Sequence, residues 1–189
     1  MTTEISKKTR KICKRALEQE AGDLGLMSTV VSGAHAYGFP SVDSDVDLRG
    51  TFFAPTEAFL GLQNPTLSYD WTKFIDGVEV DFSVNEISVV LGGVLRGDGN
   101  FLERILGPIV VTDSEAHQQL VPMVRRSLSK RYHRHYRGFG RSLYTAFAEA
   151  DEPTVKSALY VFRTALTGVH LLRAEELVTD LAKLAKLYN

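Results

Sequence analysis

Two short runs of this chain, DVDLRGTFF (45–53) and VEVDFSV (78–84), alternate polar with apolar side chains. Side chains two apart on a strand share a face. Asp45 and Asp47 therefore point one way, and Val46 and Leu48 the other. In the second run Val78, Val80, Phe82 and Val84 share one face and Glu79, Asp81 and Ser83 the opposite one. A chain with two such runs must build a sheet that is buried on one side and acidic on the other. Asp76-Gly77 precedes the second run, and Asp-Gly between alternating segments marks a tight hairpin to a strand at 66–74.

The surrounding pattern predicts an α+β fold. Met27–Ser32 reads as a strand that stops at Gly33, and Pro55 opens a short helix, PTEAFLGL. Asn85 is expected to cap a helix, EISVVLGGVLR, and another runs from about Asn100 until Gly107-Pro108 breaks it. An N-terminal helix is expected over 4–20, with Ile5, Ile12, Ala16 and Leu17 on one side. From Asp113 onward the chain reads as helices at 113–128, 130–149, 153–173 and 175–187. The expectation is a small mixed sheet flanked by helices in residues 1–110, and a helical bundle in residues 111–189 packed against it across a cleft. No Gly-, Pro- or Ser-rich linker separates the halves.

Bulk properties narrow the partners and the compartment. A net charge of −1 points to neither a nucleic acid nor a membrane for the chain as a whole. Cys13 is the single cysteine, which excludes an intrachain disulfide and a cysteine-based zinc cluster and suits a reducing compartment. The basic start, MTTEISKKTRKICKR, has no apolar core after it, and no apolar run reaches the ~20 residues that span a bilayer. The reading is a cytoplasmic protein.

The chemistry gathers around SGAHAYGFPSVDSDVDLRG (32–50). Two carboxylates on one face repel, and a bound cation relieves that repulsion. Mg²⁺ takes oxygen ligands from one or two carboxylates and from substrate phosphates. If the two strands are neighbours, Asp81 or Glu79 joins Asp45 and Asp47. Three acids can then hold two ions that clamp the attacking and leaving oxygens of a phosphoryl or nucleotidyl transfer. An isolated Asp-x-Asp is more commonly a solvated strand face, and Asp43 reads as a turn residue only. Gly33-Ala34 directly follows a strand. A glycine there lets backbone N–H groups approach a phosphate, although the same pair also serves as a plain tight connection. His35 beside it is placed to touch a nucleotide or hold the loop, and is not read as a catalytic base.

The helical half adds positive charge. No Asp or Glu occurs from Ala116 to Ala148, whereas Arg131, Arg134, Arg137 and Arg141 lie there with Tyr132 and Tyr136 between them. Such a face suits a polyphosphate or RNA backbone, or is simply a solvated helix surface. His133 and His135 point apart on a helix and make a poor metal pair. Lys156 and Arg163 are seven apart on one side of a helix. Lys156 is expected to neutralise triphosphate charge, and Arg163 to brace the junction through a carboxylate. Tyr37 and Trp71 are read as packing residues.

The ordered combination GAHAYGFPSVDSDVDLRG, VDFSVNEISVVLGGVLRGDGNFLERI, YRGF and Lys156-x₃-Tyr160-x₂-Arg163 resembles the DNA polymerase β-type nucleotidyltransferase superfamily. Within it, the chain is similar to predicted RNA-ligase-associated nucleotidyltransferases, from about Val30 to Arg173. The resemblance implies that Gly33 and Ala34 hold a nucleoside triphosphate and that Asp45 and Asp47 are a metal pair. Asp81 is the best match to the third acid, with Glu79 the alternative. It also implies two Mg²⁺, or Mn²⁺, as cofactor. Ala34 stands where the family usually carries Ser, which removes a hydroxyl from the phosphate turn and should weaken binding. The implied activity is transfer of a nucleoside monophosphate to an acceptor, whether an RNA 3′ end, a protein side chain or a small molecule. Two rivals remain: a catalytically weak nucleotide- or RNA-binding module on the same scaffold, and a metal-dependent phosphodiester hydrolase.

Overall fold

The computed structural model describes residues 5–188. Residue 4, included in the expected N-terminal helix, lies outside the described residues. Helix α1 (Lys7–Glu20) starts where the Ser6 side chain accepts a hydrogen bond from the Thr9 N–H, and it buries Ile12, Cys13 and Ala16. Strand β1 (Leu26–Val31) then leads into the short helix α2 (Gly33–Tyr37) and strand β2 (Val46–Phe52). Helix α3 (Thr56–Leu60) begins after Pro55, as its fixed φ favours. Strands β3 (Ser68–Ile75) and β4 (Val78–Glu86) form the expected hairpin. Asp76 and Gly77 both take positive φ, 51° and 77°, as the mirror-image turn requires.

The sheet order is β3-β4-β2-β1-β5. β2 and β4 run parallel, and the other pairings are antiparallel. The mixed sheet flanked by helices is the α+β class read from the pattern. Strand β5 (Ile109–Thr112) was not anticipated. It has four residues behind Gly107-Pro108, too few to show an alternation, and its pairing with β1 is long-range.

The apolar sides of β2 and β4 present Val46, Leu48, Val80, Phe82 and Val84, all fully buried, and α1 covers them with Ile12, Cys13 and Ala16. Trp71 stacks on Phe82 on this side, centroids 4.8 Å apart, so it is a packing residue. A second core joins α4 (Ile87–Arg96), α5 (Gly99–Leu106), α6 (Glu115–Arg126), α7 (Tyr132–Ala148) and α8 (Val155–Ala174). Its members include Val90, Leu102, Ile105, Val124, Tyr132 and Tyr136.

Three local expectations are corrected. Asn85 remains in β4, and Glu86 caps α4 by accepting from the Ser88 N–H at 2.7 Å. The expected helix 175–187 forms only as α9 (Leu181–Leu187). Glu175 turns left-handed at φ 55° and ends α8, and the next stretch is pinned where Thr179 Oγ1 donates to the Ala36 carbonyl at 3.1 Å. Tyr132 and Tyr136 are buried in the second core, so they are not stacking platforms for a nucleic acid.

Candidate active site

Parallel pairing of β2 with β4 sets Asp47 directly beside Asp81, and Arg49 beside Ser83, on the polar face of the sheet. Arg49 Nη2 donates to Asp47 Oδ1 at 2.6 Å and to Asp81 Oδ2 at 2.8 Å. Thr72 on β3 donates to the other Asp81 oxygen at 3.0 Å. Asp45 stands half-buried just before β2. Glu79 is exposed and opposes Phe74, two residues away along β4. Asp47 sits against the turn that follows β1. Burial is the main reason its carboxyl is pushed above the usual range; Asp45 and Asp81 add to that push, while Arg49 and Lys156 oppose it.

Gly33 opens α2 at φ 63°, a conformation that side chains rarely adopt. A Cβ on it would lie 1.8 Å from Asp47 Oδ2, so only glycine lets the carboxylate and the turn meet. The Ser32 N–H also donates to the Asp47 carbonyl at 2.9 Å. Ala34 is buried, and His35 is half-buried. Burial lowers the His35 pKa, against the opposing pull of a Ser44 backbone group and the Asp45 charge. Asp43 projects into solvent with its carboxyl stabilised by the Ser41 side chain, in keeping with a turn residue.

Lys156 is exposed in the first turn of α8, and its charge acts on Asp47 and Asp43. One turn on, Tyr160 meets Phe39 and Tyr37 edge-on, at 5.3 and 5.9 Å between centroids. Arg163 is turned inward. It pairs with the buried Glu103 at 2.8 Å and lies 3.6 Å over the Tyr37 ring, while Tyr37 Oη donates to Glu103 at 3.0 Å. This is the bracing contact expected of Arg163. Thus Gly33, Ala34, His35, Asp45, Asp47, Asp81 and Lys156 gather at one end of the polar sheet face. Arg131, Arg134, Arg137 and Arg141 lie apart from it, exposed along α7.

Ser83 lies on the polar face with Asp81, as the alternation predicts. Two further residues at the site, Arg49 and Arg104, are not among those expected there. Arg49 continues the alternation by two from Asp47, whereas Arg104 comes from α5 and reaches the sheet only through tertiary packing, where it donates to the Ser83 carbonyl.

Among the described residues, no three carboxylate, imidazole or thiol groups stand ready-made as a cation cage. The donor set nonetheless fits a divalent cation. Two carboxylates already converge on a single positively charged nitrogen of Arg49, which marks the point where positive charge is stabilised.

The sequence matches the model of the RNA repair pathway DNA polymerase beta family over residues 5–187. It is 27% identical over 153 residues to an uncharacterized protein of Methanocaldococcus jannaschii, across 80% of this chain and 62% of that one. The chain therefore spans less than two thirds of that relative. Among solved structures, a nucleotidyltransferase-like protein from Exiguobacterium sibiricum superposes with a TM-score of 0.45 at 10% identity, covering 94% of this chain and 72% of that one.

Proposed function

The chain belongs to the RNA repair pathway DNA polymerase beta family, and from that premise we propose that it is a nucleotidyltransferase moving a nucleoside monophosphate from a nucleoside triphosphate to a hydroxyl acceptor. The observation that carries this reading is the Asp47–Asp81 pair on adjacent parallel strands, set against a glycine turn that only glycine can form.

Asp45, Asp47 and Asp81 would hold Mg²⁺ or Mn²⁺. Bound there, the cation supplies Lewis-acid stabilisation of phosphate oxygens without proton bookkeeping. Gly33 and Ala34 offer backbone N–H groups to the triphosphate, and His35 holds the adjoining loop against Ser44. Lys156 balances charge as it builds on the departing pyrophosphate. Beside Lys156, a hollow of about 510 Å³ between α7 and α8, lined by Leu143, Phe147 and Tyr160, offers apolar surface to a nucleobase. In the transfer the acceptor oxygen bonds to the α-phosphorus. The bond from that phosphorus to the oxygen bridging to the β-phosphate breaks, and pyrophosphate leaves with the electron pair. The hydroxyl proton passes to the Asp81 carboxylate and then to water. Positioning and charge neutralisation carry such chemistry, which accounts for a site without a separate nucleophile. The exposed arginines of α7 favour an RNA acceptor.

A second reading, a nucleotide- or RNA-binding module with little catalysis, is favoured by Ala34, which brings no hydroxyl to the turn. Isothermal titration of the four NTPs with Mg²⁺, on the wild type and on Asp45→Ala/Asp47→Ala, tests the site. Metal-dependent binding abolished by the double substitution supports it, and absence of wild-type binding at millimolar NTP sinks it. Release of pyrophosphate from bound NTP then separates the transferase from the binding module.

A further inference from the structure

Beyond Asp81 the polar face of the sheet continues into a cavity of about 390 Å³, closed on its far side by α5. β2, β4 and β3 contribute Arg49, Ser83 and Asp70, and α5 contributes Asn100, Glu103 and Arg104. None of Gly33, His35 and Lys156 lines it. Ser32, which directly precedes the glycine turn, and Asp81 also line it, so the cavity adjoins both the turn and the carboxylate pair along the sheet.

Two arginines and three carboxylates line the cavity, and among the described residues Arg104 and Asp70 are the two of these charges without an ion pair. Arg49 is matched by Asp47 and Asp81. Glu103 is committed to Arg163 and Tyr37. Arg104 donates only to neutral oxygens: the Ser83 carbonyl at 2.5 Å, Ser83 Oγ at 3.0 Å and the Gly50 carbonyl at 3.4 Å. No carboxylate among the described residues forms an ion pair with it, although Asp70 and Asp98 act on it through space. Burial, then the neighbouring Arg49 charge, pushes the Arg104 pKa down to about 10. A largely buried cation without a contacting counter-charge is costly. Here it faces a cavity that also offers the exposed Asn100 carboxamide, while the Ser83 hydroxyl is already held between Arg104 and Asp70, and an entering anion would give Arg104 a contacting counter-charge.

We propose that this cavity is the acceptor subsite, and that it binds a phosphorylated ribose with its phosphate on Arg104 and Asn100 and its free hydroxyl towards Asp81. Asp70, whose carboxylate accepts from the Ser68 hydroxyl at 2.6 Å and also meets Ser83 and the Arg104 charge, disfavours a second phosphate beside it and would accept from a ribose hydroxyl. The volume suits one nucleotide unit. A free nucleoside monophosphate and the terminal nucleotide of an RNA carry the same recognition chemistry. The subsite rests on the transferase reading, because it takes its meaning from the Asp81 end of the carboxylate pair.

Isothermal titration with AMP, and with a short RNA oligonucleotide, on protein saturated with ATP and Mg²⁺ tests the proposal. Two variants are compared. Arg104→Gln removes the charge. Asn100→Asp adds a negative charge at an exposed position of α5 and alters none of the groups that Arg104 hydrogen-bonds. The expected result is AMP binding that persists under saturating ATP and falls at least tenfold in both variants, while ATP binding changes less than twofold. Equal affinity for AMP and oligonucleotide identifies a free nucleotide as the acceptor, and tighter oligonucleotide binding identifies an RNA end. Displacement of both ligands by ATP, or indifference to Asn100→Asp, overturns the subsite and leaves the transferase reading intact. Loss of ATP binding in the wild type, with AMP binding retained, sinks the transferase reading instead.

Discussion

Asp47 and Asp81 are direct neighbours across two parallel strands, and both carboxylates bind the same nitrogen of Arg49. The guanidinium therefore occupies the space between two like charges. Replacing it by Arg49→Gln leaves the carboxylates facing each other. The expected loss is about 1–3 kcal/mol, in line with removing a charged hydrogen-bond partner. Millimolar Mg²⁺ should restore much of that loss in the variant and change the wild type less. Thermal melts with and without Mg²⁺ read both effects, and a variant whose melting is blind to Mg²⁺ would count against cation binding between these two residues.

Gly33 provides a sharper steric test. At φ 63°, with a Cβ position 1.8 Å from Asp47 Oδ2, even alanine forces the turn and the carboxylate apart. Gly33→Ala should cost about 1–3 kcal/mol of backbone strain and weaken NTP binding at least tenfold. Gly77→Ala is the control for positive φ, at 77° with open space around its Cβ. It should cost stability and leave NTP affinity unchanged. Urea unfolding and nucleotide titration on the two variants separate strain from site geometry.

Much of this site could be read from alternation alone. A period of two places Asp45 with Asp47, Asp81 with Ser83, and the valines and Phe82 underneath, and the Asp-Gly turn announces the β3–β4 hairpin. Which acid joins the pair is a matter of register. Only the parallel pairing of β2 with β4 puts Asp81 beside Asp47 and leaves Glu79 exposed, and that pairing is a long-range choice. Strand β5 and the Arg104 wall were hidden for the same reason. Tyr132 and Tyr136 misled because their spacing fits a stacking face as well as a buried one, and the packing of α4, α5 and α8 decides between them.

The Glu103–Arg163 pair joins α5 to α8 in the interior, with Tyr37 completing both partners. Breaking a buried pair leaves its survivor uncompensated. Arg163→Met should therefore cost about 3–5 kcal/mol. Glu103→Gln with Arg163→Met should recover part of that loss, since no charge is then stranded. A double-mutant cycle by urea denaturation measures the coupling, and additive costs would show that the pair is not a unit.

Acid should loosen the fold before the carboxylates titrate. Burial lowers the pKa of His135 and of His35 below the ordinary 6.5. For each, the folded state holds its proton more weakly than the unfolded chain does. The stability tied to the neutral ring is fully present above pH 6.5 and is lost as pH falls through the folded value. Asp98, 3.4 Å from the His135 ring, opposes this shift without reversing it. His135 also packs on Gly99, where a Cβ would come within 2.7 Å of its ring, so a smaller polar replacement is tolerated sterically. Unfolding free energy should decline as pH falls below 6.5, with a slope of at most ~1.4 kcal/mol per pH unit for each histidine. His135→Gln should remove one histidine's share of that slope and leave the share of His35. Urea titrations at half-unit pH steps measure it, and an unchanged slope in the variant would assign the acid sensitivity to other groups.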